Sequence, residues 1–307
     1  MIYTITFNPA VDLVIKVPDF QVGDLNRSVG EDYVAGGKGI NMSVVLHRLG
    51  QTNIATGFLA GFSGYYIKQE LKREGIEPHF IEVEGTTRIN VKLKSKEETE
   101  INAAGPHVSP EKFQELVSYF QDKLQEGDVV FLAGNAAPGM DSSAYATIAQ
   151  LCQKKKAYFV LDATKDLLTL CLQYQPFIIK PNHHELGEIF GVTIQNEDEI
   201  ITYARKLQEQ GARNVLVSRG GDGALLVTED GQILSSNVPK GKLINSVGAG
   251  DSMLAGFMAK YLETKDYAQS LQQGAATGSA TAFSVGIATD ALIQELIPQI
   301  RIEKKER

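Results

Sequence analysis

The chain has 307 residues, of which 43% are apolar, and this is enough for one large α/β domain or two ordinary ones. Its net charge of −7 argues against nucleic acid as the main partner, because no basic stripe is present to release counterions. The sequence shows neither a run long enough to span a membrane nor a basic, cleavable leader. It therefore predicts a cytoplasmic protein without a signal peptide or membrane partner, whose two cysteines are reduced.

Short apolar runs alternate with amphipathic runs along the chain. The strand-like runs are Ile2–Phe7, Ile54–Ala60, Val129–Ala133, Tyr158–Leu161, Phe177–Ile179, Val215–Ser218 and Ala224–Val227. The helix-like runs are Ile40–Leu49, Tyr66–Glu74, Pro110–Gln125, Ser142–Lys155, Glu197–Gln210, Ser252–Tyr261 and Tyr267–Phe283. This alternation predicts an α/β fold with a mainly parallel, doubly wound sheet and helices on both faces. Because no linker, composition break or repeat divides the chain, we expect residues 1–307 to form a single domain.

Two segments depart from this pattern and alternate apolar and polar residues with period two. They are "VDLVIKV" at 11–17 and "RINVKLK" at 88–94. They predict a second, small sheet built from about residues 11–34 and 86–103, with Arg88, Asn90 and Lys92 on one face. Such a sheet could be a lid, a dimer contact or a solvated flap, and the period alone does not distinguish them.

The stretch "AGGKGIN" at 35–41 places three glycines around Lys38, just before a predicted helix. Small residues let a loop wrap a polar ligand, and Lys38 could meet a phosphate as a point charge. A flexible β-α turn is the other interpretation. The chain contains no GxxxxGK[ST] and no GxGxxG after a strand, which excludes a Walker A loop and argues against a nicotinamide-dependent dehydrogenase.

Two further motifs have both a structural and a functional interpretation. In "KPNHHEL", Asn182 and Glu185 have the spacing of a helix capping box, and they could equally hold Mg²⁺ at a helix mouth. In "SRGGDGAL" at 218–225, the glycines predict a hairpin turn that would become functional only beside a ligand.

The stretch "NSVGAGDSMLAGF" at 245–257 raises the same choice. Asp251 could simply be the N-cap of the helix that follows. A cap does not explain the preceding Gly-Ala-Gly, however. Backbone N–H groups of Gly248, Ala249 and Gly250 at a helix start would form an anion hole, and Asp251 could then take a proton from an attacking hydroxyl.

In this order, "GGKGIN", "NxxE", "SRGGDGA" and "GAGDS" resemble the ribokinase-like carbohydrate kinases of the PfkB type. The resemblance spans the whole chain. Within that superfamily, "TFNPAVDLVIKV", "TRINVKLKSKEETEIN" and "IKPNHHEL" are similar to the 1-phosphofructokinases, with the tagatose-6-phosphate kinases as near relatives. It implies a ribokinase-like fold and ATP- and Mg²⁺-dependent phosphorylation of a ketohexose monophosphate. Fructose 1-phosphate is the expected substrate and tagatose 6-phosphate the alternative.

The resemblance also implies roles for single residues. Asp251 would be the catalytic base, with the amides of Gly248, Ala249 and Gly250 as the anion hole. The residues implied to hold the sugar phosphate are Asp12, Arg27, Gly37, Lys38, Asn41, Arg88, Asn90 and Asn135. Those implied to line the ATP site are Lys180, Asn182, Ser218, Gly220 and Gly223. Asn182 and Glu185 would organise Mg²⁺, and the small sheet would join two copies of the chain as a homodimer.

Two positions depart from the family's pattern. The segment "AGNAAPG" at 133–139 stands where the family has "SGSLPPG", so Asn135 replaces a serine expected near the substrate phosphate. An amide can still donate a hydrogen bond there. Arg219 stands where relatives commonly carry an apolar residue. A non-catalytic sugar-phosphate sensor on a kinase fold remains the alternative of another class, and an intact Asp251 argues against it.

Overall fold

Two β-sheets and ten α-helices make up the protein over residues 1–305, which this computed structural model describes. The strands are β1 (Ile2–Thr6), β2 (Ala10–Lys16), β3 (Gly30–Gly36), β4 (Asn53–Leu59), β5 (Glu77–Glu82), β6 (Arg88–Lys94), β7 (Glu98–Ile101), β8 (Val129–Ala133), β9 (Tyr158–Asp162), β10 (Ile178–Ile179), β11 (Asn214–Ser218), β12 (Ala224–Val227), β13 (Ile233–Ser236) and β14 (Ile302–Lys304). The helices are α1 (Lys38–Arg48), α2 (Gly61–Arg73), α3 (Pro110–Lys123), α4 (Ser143–Lys155), α5 (Lys165–Cys171), α6 (His183–Phe190), α7 (Glu197–Glu209), α8 (Ala249–Thr264), α9 (Tyr267–Ala282) and α10 (Asp290–Leu296).

The main sheet has ten strands in the order β14-β13-β12-β11-β10-β9-β8-β1-β4-β5. The strands from β11 to β5 pair in parallel, and β12, β13 and β14 add an antiparallel edge. Helices α3 to α7 cover one face of this sheet, whereas α1, α8 and α9 cover the other. Strands β1 and β8 are buried along their whole length, as the continuous apolar runs predicted.

The second sheet has four strands in the order β3-β2-β6-β7 and is called the lid sheet. Strand β2 pairs with β6 in parallel, which sets Asp12 beside Asn90. This confirms the small sheet predicted from the alternating segments. Its strands occupy residues 10–16, 30–36, 88–94 and 98–101, so that residues 17–29 form a loop rather than a strand.

Five elements were not predicted from the sequence: β5, β13, β14, α5 and α10. Strand β5 has the sequence EPHFIE, in which a proline and charged residues are tolerated only because the strand lies at the edge of the sheet. The other four elements have only three to seven residues each, which is too short to show a period. No helix within residues 1–305 is both long and apolar enough to cross a membrane.

The helices begin in two different ways. Ser109, Asn196 and Asp266 each cap a helix by accepting a hydrogen bond from a backbone amide three residues on. Helices α1 and α8 begin instead after Gly37 and Gly248, with no side-chain cap. Their first-turn amides are therefore not satisfied by a capping side chain, and both helix starts face the carboxyl edge of the parallel strands.

Gly57 tests the packing of the central strands. It has φ of 137°, and a Cβ at this position would overlap the carbonyl oxygen of Thr6 on the neighbouring strand β1. Gly57→Ala should lower the free energy of unfolding by more than about 3 kcal/mol, because backbone strain and a backbone clash add. Gly127→Ala is the control, since Gly127 has a similarly positive φ of 84° and open space around it. Equal losses for the two variants in urea unfolding would contradict the clash.

Candidate active site

Four charged side chains meet beyond the carboxyl ends of the parallel strands. Asp162 ends β9, and its Oδ1 lies 3.0 Å from the Nζ of Lys38, the first residue of α1. Its Oδ2 lies 3.5 Å from the Nζ of Lys180, which follows β10. Asp251 lies close enough to add its charge to the same cluster. Asp162, Lys180 and Asp251 are buried, whereas the side chain of Lys38 is 37% exposed, so two acids and two lysines balance one another at the border of the buried interior.

Asp251 is not the helix cap that one interpretation of the sequence suggested. The N-cap of α8 is Gly248, and Asp251 is the third residue of the helix. Its Oδ2 accepts a hydrogen bond of 2.9 Å from Asn41 Nδ2 on α1. Burial and the charge of Asp162 raise the pKa of Asp251 to about 6, against the opposing effect of Lys38. A buried carboxyl with this pKa is ionised at neutral pH and is well matched to take a proton.

In the ion pair between Lys38 and Asp162, the pKa of each side chain shifts in the direction that keeps it charged. Burial acts to lower the pKa of Lys38, but the charges of Asp162 and Asp251 outweigh it and raise that pKa. Burial acts to raise the pKa of Asp162, but Lys180 and Lys38 outweigh it and lower that pKa. Lys38 therefore stays a cation and Asp162 an anion throughout the pH range in which Asp251 titrates.

The glycines at the start of α8 let the side chain of Lys180 approach the helix backbone closely. Gly248 has φ of 79°, in the left-handed region. A Cβ on Gly250 would lie 3.0 Å from Lys180 Nζ, so any larger residue would push the lysine away. The amide of Ala249 donates to the carbonyl of Ser246 at 3.3 Å, a long hydrogen bond. The helix start thus presents its positive end beside Asp251 and Lys180.

The lid sheet contributes its polar face to the same region. Asn90 Nδ2 donates to Asp12 Oδ1 at 2.9 Å, and Gly36 leaves room for the Asp12 carboxylate. A cavity of about 590 Å³ lies between this face and the segments 244–247 and 285–287. Asp12 and Asn41 both line it. The polar face of the sheet therefore lines a cavity that reaches Asn41, and the role of a lid stays a prediction.

The other predicted sugar-phosphate residues differ in how the structure places them. Arg88 is half-buried, and its Nε donates to the carbonyl of Asn8 at 3.2 Å. Arg27 is exposed in the loop between β2 and β3. Asn135 is exposed just beyond β8, at the carboxyl edge of the sheet. The roles assigned to Arg27 and Asn135 remain predictions.

The predicted nucleotide residues lie on neighbouring loops. Asn182 and Glu185 form a complete capping box at the start of α6, with Oδ1 and Oε2 accepting from each other's backbone amide at 2.8 and 2.7 Å. Asn182 also forms a parallel bridge with Ser218 at the end of β11. Gly220 and Gly223 shape the hairpin between β11 and β12, where a Cβ on Gly223 would overlap the carbonyl of Ser236. The capping-box and hairpin predictions are confirmed.

Arg219 has a structural role. Its Nη1 donates to Glu197 Oε2 at 2.7 Å, and Glu197 also pairs with Lys305 at 2.9 Å. The arginine therefore ties the end of β11 to the start of α7 and to the segment after β14. An apolar residue could not make this connection.

Asp162 and Asn8 are site residues that the sequence motifs did not reveal. Asp162 is the single acid in the strand YFVLD, and a carboxylate at the carboxyl end of a buried strand is a signal that could have indicated it. Asn8 follows β1. Its Nδ2 donates to the carbonyl of Ala104 at 2.9 Å, while its own carbonyl holds Arg88. No motif spacing connects these residues, because the pairs form only in three dimensions.

This fold and this arrangement of charges define a class of protein. Residues 5–294 match the pfkB family carbohydrate kinases, and the chain belongs to this family. It is therefore a carbohydrate kinase with the ribokinase-like fold that the motifs predicted.

The chain is 47% identical over 304 residues to 1-phosphofructokinase of Bacillus subtilis, covering 99% of this chain and 100% of that protein. It is 38% identical to D-tagatose-1-phosphate kinase of Bacillus licheniformis, covering 98% of this chain and 99% of that protein. A solved structure of a candidate phosphofructokinase from Staphylococcus aureus superposes with a TM-score of 0.90 at 41% identity, covering 100% of this chain and 99% of that one.

The buried charge of Asp251 should cost stability. Its pKa rises from 3.8 in the unfolded chain to about 6, so the native state binds the extra proton between these values and loses stability as the pH rises through this window. Asp251→Asn should therefore raise the free energy of unfolding at pH 7 by about 3 kcal/mol and leave it unchanged below pH 4. Urea unfolding across this pH range measures the difference. A constant difference at every pH would show that the carboxyl is not the cause.

Proposed function

We propose that this protein transfers the γ-phosphoryl group of ATP to the 6-hydroxyl of fructose 1-phosphate, giving fructose 1,6-bisphosphate. The observation that carries the proposal is Asp251, a buried carboxyl with its pKa raised to about 6 beside the uncapped start of α8 and the lid cavity. Membership of the carbohydrate kinase family and the identity with a 1-phosphofructokinase support the reaction and the substrate.

Asp251 would act as the base. Its Oδ2 is oriented by Asn41, which leaves Oδ1 to accept the proton of the attacking hydroxyl. Backbone N–H groups of Gly248, Ala249 and Gly250 would stabilise the charge on the transferring phosphoryl group, since the positive end of the helix points there. Positioning and electrostatics account for most of the catalysis in phosphoryl transfer, so a rigid buried cluster suits the reaction.

The lid face would hold the sugar phosphate. Asp12, Gly37, Lys38 and Asn41 would contact the sugar hydroxyls, and Asp12 is held in place by Asn90. Arg88 would bind the substrate phosphate, with Arg27 and Asn135 as further donors. Burial lowers the pKa of Arg88, and the charge of Asp12 only partly opposes this shift. The guanidinium is therefore partly shielded from water, and an incoming phosphate would interact with it strongly.

ATP would lie along the loops that carry Lys180, Asn182, Ser218, Gly220 and Gly223. The residues present also fit Mg²⁺. The capping box uses only Oε2 of Glu185, and the buried Asp162 Oδ2 has no hydrogen-bond partner within residues 1–305. Asn182 and Glu185 would hold the ion, which would supply charge neutralisation of the phosphates. Within residues 1–305, no cluster of three or more His, Cys, Asp or Glu side chains could hold a metal ion by itself.

The proposal includes a single kinase domain that dimerises through the lid sheet in the cytoplasm. Large apolar side chains are exposed on and around this sheet, among them Tyr33, Tyr65 and Ile101 at 52%, 65% and 61%. Apolar side chains concentrated on one surface are typical of a protein contact.

Two alternatives compete with this proposal. D-tagatose 1-phosphate and D-tagatose 6-phosphate are ketohexose monophosphates like fructose 1-phosphate, and the identity of 38% with a D-tagatose-1-phosphate kinase favours the first of them as runner-up. A non-catalytic sugar-phosphate sensor is the alternative of another class. The intact base, glycines and lysines argue against it.

A coupled assay of ADP release tests the substrate. The panel is fructose 1-phosphate, fructose 6-phosphate, tagatose 1-phosphate, tagatose 6-phosphate and free fructose. We expect kcat/KM to be at least tenfold higher for fructose 1-phosphate than for any other acceptor. A tagatose phosphate as the best acceptor would reassign the substrate, and no turnover on the whole panel would favour the sensor.

Asp251→Asn tests the base. Turnover should fall by a factor of about 10³ or more while ATP still binds, because the amide cannot accept the proton.

In the unmodified protein, kcat/KM should fall tenfold per pH unit below about pH 6, where Asp251 becomes protonated. A substrate phosphate also titrates near pH 6. Asp162→Asn distinguishes titration of Asp251 from titration of the substrate phosphate. Removal of the negative charge of Asp162 should lower the pKa of Asp251 and move the acid decrease of kcat/KM to lower pH. If the decrease stays at the same pH in this variant, it belongs to the substrate.

Arg88→Ala tests the phosphate contact. The KM for the phosphosugar should rise about 10- to 100-fold, since a charge-assisted hydrogen bond is lost, while the KM for ATP should change less than about threefold. Arg73→Ala is the matched control, because Arg73 is an exposed arginine on α2 that pairs only with Glu70 among the described ion pairs. Equal increases in both KM values for Arg88→Ala would remove its assignment to the sugar phosphate.

A further inference from the structure

Arg48, the last residue of α1, connects that helix to a distant part of the chain. Its Nη1 donates to the carbonyls of Ile287 and Ala288 at 2.6 and 3.0 Å. Its Nε and Nη2 donate to both carboxylate oxygens of Glu74 at 3.2 and 2.8 Å. The side chain of Arg48 is 25% exposed, and four N–H bonds of its planar guanidinium are used.

The segment that Arg48 holds packs against the start of α8. A Cβ on Gly248 would lie 3.1 Å from Ile287 Cδ1, and Ile287 lines the lid cavity. The amide of Ala288 donates to Thr281 Oγ1 at 3.2 Å, and that hydroxyl donates to Ser252 Oγ at 2.8 Å. Ser252 and Thr281 are buried, so the segment is connected to the first turn of α8 from two sides.

Helix α1 meets α8 at its other end as well. Asn41, in the first turn of α1, donates to Asp251, whereas Arg48 lies at the last turn of the same helix. The two ends of α1 therefore hold the base directly and the glycine start of α8 indirectly. Displacement of either contact would move the amides of Gly248 to Gly250 relative to Asp251.

We propose that Arg48 is a positioning residue for phosphoryl transfer. Through the carbonyls of Ile287 and Ala288 it keeps Ile287 against Gly248, and thereby keeps the backbone amides of the α8 start aimed at the transferring group. The inference rests on the proposed function of Asp251 and the Gly-Ala-Gly stretch. It concerns the transition state more than substrate binding, because the hydrogen bonds of Arg48 within residues 1–305 go to Glu74, Ile287 and Ala288 and not to the lid sheet or the nucleotide loops.

The test compares Arg48→Ala, Arg48→Lys and Glu74→Gln in the full chain, with whichever acceptor the unmodified protein turns over best. For Arg48→Ala we expect kcat to fall about 10- to 100-fold and both KM values to change less than about threefold, because misplacement of oxyanion donors costs this much. Arg48→Lys should recover little, since an ammonium cannot reach both carbonyls in a plane. Glu74→Gln should keep kcat within about twofold, because both bonds to the segment remain.

Guanidinium ion at about 20 mM should restore part of the kcat of Arg48→Ala and should not raise that of the unmodified protein. Three results would overturn the proposal. The first is a folded Arg48→Ala with a kcat within twofold of the unmodified value, and the second is an equal loss of kcat in Glu74→Gln. The third is a loss of kcat in both arginine variants that parallels their lowered melting temperatures and is not restored by guanidinium ion. An unmodified protein that turned over no acceptor would instead overturn the proposed function, so the two failures are distinguishable.

Discussion

The balance of charge around Asp162 organises the buried cluster at the carboxyl edge of the parallel sheet. Burial of a carboxylate is costly unless opposite charges compensate it, and Asp162 is held between Lys38 and Lys180. Because Lys38 and Lys180 each form an ion pair with Asp162, neither lysine can fully neutralise Asp251. Asp251 is thus left with a raised pKa, whereas the pKa of Lys38 is raised by the two acids and keeps that lysine a cation.

This balance links parts of the chain that are far apart. Lys38 begins α1, Asp162 ends β9 and Lys180 follows β10, so that the cluster exists only because these elements reach the same edge of the parallel sheet. The lid sheet adds Asp12 and Asn90 over the cavity. Under the proposed function, this local attraction would bring a phosphosugar and a nucleotide together in an acidic protein, since it does not depend on net charge.

Most of the parallel sheet could be predicted from the sequence, because buried strands are continuously apolar and the helices between them are periodic. The same reasoning failed for the edge strand β5, where proline and charged residues conceal the strand, and for the shortest elements, which have no period to detect. At the site, the glycine motifs indicated the loops that the structure brings to the carboxyl edge of the sheet. Asp162 was not predicted, since a single acid after an apolar strand belongs to no motif until the neighbouring loops are seen beside it.

The fold class, the family, the small second sheet and the capping box at Asn182 can be predicted from the chain alone, because each depends on local spacing. That Asp251 is a buried group in the first turn of α8, and not its cap, emerges only from the three-dimensional arrangement. The same arrangement also assigned Arg219 to Glu197 and placed Asp162 between two lysines. Burial and long-range charge pairs set these outcomes, and both depend on which segments meet in space.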